Sequence, residues 1–163
     1  MSVKALEQWY KQNFKKLPEP DFLLISPNHY NYFSTTKEIF NKLMHTKIAE
    51  RYNATSEVTV GPVGAAKILF ALRPNFYAPW DRQICQNKGY NLDGIGYIKY
   101  LNDIKSILLD LQNECFQNNK QITDLINITN RTLSSLPKLI DEYNWVTITK
   151  NCIPSEIIEL LER

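Results

Sequence analysis

The sequence contains few of the residues that build metal centres and disulfide frameworks. Of its 163 residues, three are cysteine, two are histidine and five are glycine. Cys85, Cys115 and Cys152 lack the close CxxC spacing of a zinc or redox site and the four-cysteine run of an iron–sulfur cluster. We therefore expect no metal and no cofactor. Three separate thiols fit a reducing cytoplasm, where cysteine packs as a small hydrophobic residue.

Long apolar runs are also missing. No window approaches the roughly 20 apolar residues that a transmembrane helix needs. The first residues, MSVKALEQWYKQNFKK, hold no apolar stretch of signal-peptide length, because Glu7, Gln8 and Lys11 interrupt it. We expect a cytoplasmic protein that does not associate with membranes.

The chain has little excess charge of either sign. Its formal net charge is +2, which permits a nucleic-acid partner without demanding one. Hydrophobic residues make up 44% and charged residues 22%, as in soluble globular domains. This length suits one domain and is too short for two, so residues 1–163 are predicted to form a single domain.

Helical periodicity dominates the hydrophobic pattern, and we expect a mainly α-helical domain of several helices. The clearest stripe runs from Tyr97 to Cys115 in steps of three and four residues. Trp145 to Lys150 alternates β-branched residues and predicts a short strand. Asp141 and Glu142 are interpreted as exposed helix charges. The predicted helices are 3–14, 35–52, 62–72, 79–89, 97–115, 121–130, 135–143 and one that begins at Pro154.

One segment carries candidate chemistry: residues 60–84, VGPVGAAKILFALRPNFYAPWDRQI. A glycine turn precedes an apolar helix, and a proline-bounded loop then leads to Trp80-Asp81 at the start of another helix. Glycines let the backbone approach a phosphate closely, and amides at a helix N-terminus can bind it. The same residues have structural interpretations, since Asp81 can cap a helix and an aromatic cluster beside a buried helix usually belongs to the core.

This order of features resembles the helix–hairpin–helix DNA glycosylases. Gly61-Pro62-Val63-Gly64 stands at the hairpin of that superfamily, and Asp81 stands at its catalytic aspartate. The resemblance implies that Asp81 promotes cleavage of an N-glycosidic bond. Ala66 occupies the position where lyase-active members place a lysine, which implies a monofunctional glycosylase.

The resemblance also implies binding of double-stranded DNA. Gly61, Val63 and Gly64 would present backbone amides to a phosphate, and Lys67 is the nearby basic residue. Trp80 and Tyr77 would line the pocket for an extruded base.

Two other functions remain open from the sequence. A helical scaffold that binds a protein partner would use the same segment as a tight turn and a core helix. A DNA-binding protein without catalysis would keep the hairpin contact and lose the enzymatic role of Asp81.

Overall fold

The computed structural model describes residues 3–50 and 57–152, and its architecture is mainly helical. Within these residues the chain forms seven α-helices, one antiparallel pair of strands and two short turns of other helix types. The elements are α1 (Val3–Asn13), a 3-10 turn (Phe14–Lys16), α2 (Tyr30–Met44), β1 (Lys47–Glu50), β2 (Glu57–Thr59), α3 (Gly61–Leu72), α4 (Arg82–Asn87), α5 (Gly94–Gln117), α6 (Asp124–Ile128), α7 (Leu136–Asn144) and a π-helical turn (Trp145–Thr149).

The sequence pattern identified most of these helices. Pro62 lies in the first turn of α3, as predicted, because its missing N–H has no partner to lose there. The stripe from Tyr97 to Cys115 lies on α5 and is buried along most of its length. Gly89 follows α4 with φ of +68°, the left-handed conformation expected for it.

The predicted helix 35–52 is wrong at both ends. α2 begins at Tyr30, five residues ahead of the predicted start, and ends at Met44. Residues 47–50 instead form β1, which pairs antiparallel with β2. β2 supplies β1 with the hydrogen bonds that a helix would have made within itself. Tertiary pairing of this kind readily overrides local helix propensity.

The strand predicted at 145–150 is also wrong, because the chain continues α7 as the π-helical turn. The hydroxyl of Thr147 donates to the backbone oxygen of Tyr143 over 2.8 Å, which suits a helical backbone. The helix predicted from Pro154 lies outside the described residues.

Aromatic side chains form the centre of the core. Phe40 of α2 stacks on Tyr97 of α5 with ring centroids 4.5 Å apart, and Trp80 packs edge-on against both rings. Tyr77 and Phe76 extend the cluster towards α2, and all of these rings are buried. The core therefore joins α2, α5 and the segment that precedes α4.

That segment, residues 73–81, is a loop that begins with a turn at residues 74–76, and the backbone after the turn needs partners in the core. The hydroxyl of Tyr97 donates to the backbone oxygen of Ala78 over 2.8 Å, and Tyr100 lies 3.2 Å from that of Pro79. An unpaired buried carbonyl would be costly, so these two tyrosines of α5 make the buried loop tolerable. They also fix the position of Asp81 at the end of this loop.

Gly96, in the first turn of α5, leaves no space for a side chain. A Cβ built there would lie 1.9 Å from the backbone oxygen of Asn91. We expect Gly96→Ala to lower the free energy of unfolding by about 2–3 kcal/mol, because backbone must move to accommodate the methyl group. Gly64→Ala is the matched control, since its Cβ would meet only the side chain of Val60. Urea denaturation checks the pair, and equal midpoints would contradict the steric argument.

None of the helices within residues 3–50 and 57–152 has both the length and the apolar character required to cross a membrane.

A candidate active-site cleft

An open cleft of about 600 Å³ lies between α3, the start of α4 and α7. We call it the Asp81 cleft. One wall comes from the segment that the sequence singled out, and the opposite wall comes from the C-terminal part of the described chain. The lining residues are Lys67, Pro79, Trp80, Asp81, Arg131, Lys138, Asp141, Glu142, Tyr143, Trp145 and Val146.

Asp81 is held by donors on both carboxylate oxygens. It is the N-cap of α4, where Oδ1 accepts a hydrogen bond from the amide of Ile84 over 2.8 Å. Oδ2 accepts from the hydroxyl of Thr149 over 3.0 Å. The capping role considered from the sequence is therefore confirmed. Each carboxylate oxygen can accept a second hydrogen bond, so the group remains able to meet a ligand while its orientation is fixed.

The thiol of Cys85 lies beneath this carboxylate. Burial, together with the negative charge of Asp81, raises the pKa of Cys85 to about 12. The thiol therefore stays protonated at neutral pH and is a poor nucleophile. Cys85 contributes packing to the first turns of α4, and the reactive groups of the site must be sought among the other residues.

Trp80 forms part of the floor of the cleft, and its ring is only 1% exposed. Its indole N–H donates to the backbone oxygen of Pro62 over 3.2 Å. This bond ties the segment before Asp81 to the first turn of α3. The ring closes the cleft from the core side and offers a ligand very little exposed surface.

Tyr77 does not line the cleft. Its side chain is fully buried, and its hydroxyl pairs with that of Thr36 over 3.1 Å. Burial raises the pKa of Tyr77 well above its usual range, so the hydroxyl stays protonated within the core. The structure thus places Tyr77 away from any base bound beside Asp81.

The glycine turn lies next to the cleft and does not form its lining. Gly61 has φ of +71°, a left-handed conformation that glycine adopts without steric cost, which explains why a glycine stands at the start of α3. Lys67, one turn after Gly64, is the residue of α3 that reaches the cleft, and it is exposed. The connection from α2 to this turn contains the β1–β2 pair and is therefore longer than a simple hairpin between two helices.

Sequence reasoning missed the wall formed by α7. Asp141, interpreted as an exposed charge, is 6% exposed, which corrects that interpretation. The sequence contained a signal for this wall. One face of α7 carries Pro137, Ile140, Asp141 and Asn144, and the last two are polar residues on an otherwise apolar face. A polar residue on the buried face of a helix needs a specific partner. Here the partners are Tyr100 and Lys138, which bond to the carboxylate of Asp141.

Exposed aromatic rings stand at the rim of the cleft. Trp145 is 43% exposed and Tyr143 is 51% exposed, so both offer ring surface to a ligand. The ammonium of Lys150 lies 4.7 Å from the centroid of the Trp145 ring. Arg131 forms an ion pair with Glu142 across the same rim. A π-helical turn often accompanies a functional site, and here it positions Trp145 beside Asp81.

Comparisons of this chain with protein-family models, curated proteins and solved structures found no match. Within residues 3–50 and 57–152, no group of three His, Cys, Asp or Glu side chains could hold a metal ion. The functional argument therefore rests on the geometry of the Asp81 cleft.

Proposed function

We propose that the protein binds DNA and hydrolyses the N-glycosidic bond of a base placed in the Asp81 cleft. One observation carries the proposal. Lys67, Trp80 and Asp81, three residues singled out from the sequence, line a single open cleft. The Trp80–Pro62 hydrogen bond joins that cleft to the glycine turn at the start of α3.

In this proposal the DNA backbone lies across the N-terminus of α3. The amides of Gly61 and Val63 belong to the first turn of α3, where backbone N–H groups lack partners within the helix, whereas Gly64 is the first residue whose N–H faces a helical carbonyl, that of the N-cap Val60. Such groups, together with the helix dipole, favour a phosphate. Gly61 has nothing within 4 Å of the position its Cβ would occupy, so a phosphate could approach the backbone closely. Lys67 then places a cation between this turn and the cleft.

Asp81 performs the chemistry in this proposal. Its carboxylate stabilises the positive charge that develops on the sugar as the bond from C1′ to the base nitrogen breaks. A water oxygen forms the new bond to C1′ and passes its proton to Asp81. The base leaves with the electron pair of the broken bond and takes up a proton from solvent, and Asp81 then returns the proton of the attacking water to solvent. The donors from Ile84 and Thr149 hold the carboxylate in one orientation throughout.

The base would stack on the exposed rings of Tyr143 and Trp145 at the rim. Aromatic stacking contributes about 1–3 kcal/mol for each base in single-strand binding. These rings replace Tyr77 in the role that the resemblance gave it. Trp80 keeps a part in the pocket as its floor.

A non-catalytic role is the second candidate, and the capping of α4 favours it. Asp81 has a complete structural explanation as an N-cap, so its presence does not require an enzyme. In this alternative the cleft would hold DNA or a segment of a protein partner without cleavage.

Fluorescence anisotropy tests the DNA contact. The probes are a duplex containing a stable abasic-site mimic and an unmodified duplex of the same sequence, each titrated over a salt series. We expect tighter binding to the mimic and a steep loss of affinity with salt, because phosphate contacts release counterions.

Lys67→Gln should reduce the slope of log affinity against log salt by about one. Lys99→Gln is the control, because Lys99 is exposed on α5 and does not line the cleft. Equal, salt-steep binding to both duplexes would favour the non-catalytic DNA-binding role. Failure to bind either duplex at low salt would remove DNA as the partner.

A further inference from the structure

Lys138 and Asp141 form an ion pair in the wall of the Asp81 cleft, and the pair is anchored from the core. The ammonium of Lys138 donates to Oδ2 of Asp141 over 2.6 Å. The hydroxyl of Tyr100 lies 3.1 Å from Oδ1 of the same carboxylate. Tyr100 is 1% exposed, and burial raises its pKa, so its hydroxyl keeps its one proton, which it shares between Asp141 and the backbone oxygen of Pro79. The carboxylate of Asp141 is therefore fixed, and it fixes Lys138 in turn.

Lys138 retains two N–H donors after bonding to Asp141, because an ammonium has three. Its side chain is 30% exposed and lines the cleft. The group that faces a ligand from this wall is thus an oriented ammonium. The carboxylate of Asp141 lies behind this ammonium and is shielded from solvent over most of its surface.

The carboxylates of the cleft are already engaged by donors. Asp141 is bonded by Lys138 and Tyr100, and Glu142 is paired with Arg131. As described above, Asp81 has a donor on each of its oxygens. Asp141 and Glu142 are thus paired with cations, whereas the donors to Asp81 are neutral, so the charge of Asp81 remains available to the developing sugar cation.

Two further cations stand close to the same space. Lys67 lines the cleft, and no carboxylate of the described residues forms a salt bridge with it. Lys150 lies over the ring of Trp145, so its charge is present where a ligand would stack. Oxygen atoms of a ligand would therefore find donors on this side of the cleft.

We propose that the base cleaved in this cleft is neutral and bears carbonyl oxygens, and that Lys138, positioned by Asp141 and Tyr100, stabilises the negative charge it acquires on leaving. This inference rests on the proposed glycosylase function. A neutral base departs with the electron pair of the broken C1′–N bond and becomes an anion until it is protonated. A base that is already cationic departs as a neutral molecule and gains nothing from an ammonium group.

The test uses single-turnover cleavage of two duplexes by the intact chain. One carries a single deoxyuridine, which has a neutral base, and the other a single 7-methylguanine, which has a cationic base. We expect cleavage of the deoxyuridine duplex to be the faster after subtraction of the rate without protein. Lys138→Met should reduce that rate roughly a hundredfold, as loss of one charge-stabilising donor does, and leave binding of the duplex nearly unchanged. The same substitution should leave cleavage of the 7-methylguanine duplex unaffected.

Lys99→Met is the matched control and should change neither rate. Asp141→Asn tests the positioning role, because Asn keeps an oxygen for Tyr100 and loses the charge that holds Lys138. It should lower the deoxyuridine rate selectively, a result that a general loss of structure would not give. Faster cleavage of 7-methylguanine, or an equal effect of Lys138→Met on both duplexes, would overturn this inference and leave the proposed function standing. Cleavage of neither duplex, together with no preference for the abasic mimic, would remove the proposed function itself.

Discussion

Asp81→Asn is expected to lower the rate of N-glycosidic cleavage by roughly a hundredfold or more, as the loss of a charge-stabilising group does in other enzymes. The variant lacks the negative charge that stabilises the developing sugar cation and the base that accepts the proton of water. DNA affinity should change little, because the proposed phosphate contacts lie at Gly61, Val63 and Lys67. Single-turnover rates and anisotropy on the same preparation separate the two effects.

The structure explains why Asn is the informative substitution at this position. Asn is as good an N-cap as Asp, so the hydrogen bond from the amide of Ile84 can be kept. The melting temperature should therefore stay close to that of the parent protein. Asp81→Ala removes the cap and should destabilise the fold by about 1 kcal/mol. Cleavage that survives in Asp81→Asn would show that Asp81 serves only as a structural cap, and an Asn variant that unfolds would contradict the expectation that Asn keeps the cap.

Phe40→Ala should produce the largest loss of stability, about 3–5 kcal/mol. Phe40 is fully buried, stacks on Tyr97 and packs against Trp80, so its removal leaves a cavity under the floor of the cleft. Phe116→Ala is the matched control, because that ring is 81% exposed on α5. Chemical denaturation of the two variants measures the difference. Similar midpoints would mean that the aromatic cluster does not hold the floor in place.

The sequence predicted the helical class and the buried stripe of α5 well, since a long stripe with one apolar face admits few other structures. It misplaced β1 because Lys47 to Glu50 takes its hydrogen bonds from residues 57–59, which no local pattern reveals. The π-helical turn was not predicted, for a similar reason. Alternating β-branched residues at 145–150 favour a strand locally, yet the chain continues from α7 and meets Asp81 through Thr149.

The sequence predicted one wall of the candidate site and missed the other. Lys67, Trp80 and Asp81 lie within 15 residues of one another, so local order was enough to select them. The wall formed by Lys138 and Asp141 is more than 50 residues further along the chain, and only folding brings it to Asp81. The interruption of the buried face of α7 by Asp141 was the one local sign of that wall.

The most direct test of the account is an NMR titration that follows the indole N–H signals of the three tryptophans. The titrant is the duplex with the abasic-site mimic. Trp145 stands at the rim of the proposed base site, whereas Trp9 is 5% exposed and donates to the backbone oxygen of Ile39 over 3.3 Å, away from the cleft. The account predicts a large shift for Trp145, with accompanying shifts at the amides of Gly61 and Val63, and an unchanged signal for Trp9. Shifts centred on Trp9, or none at Trp145 while the duplex binds, would contradict placement of DNA at the Asp81 cleft.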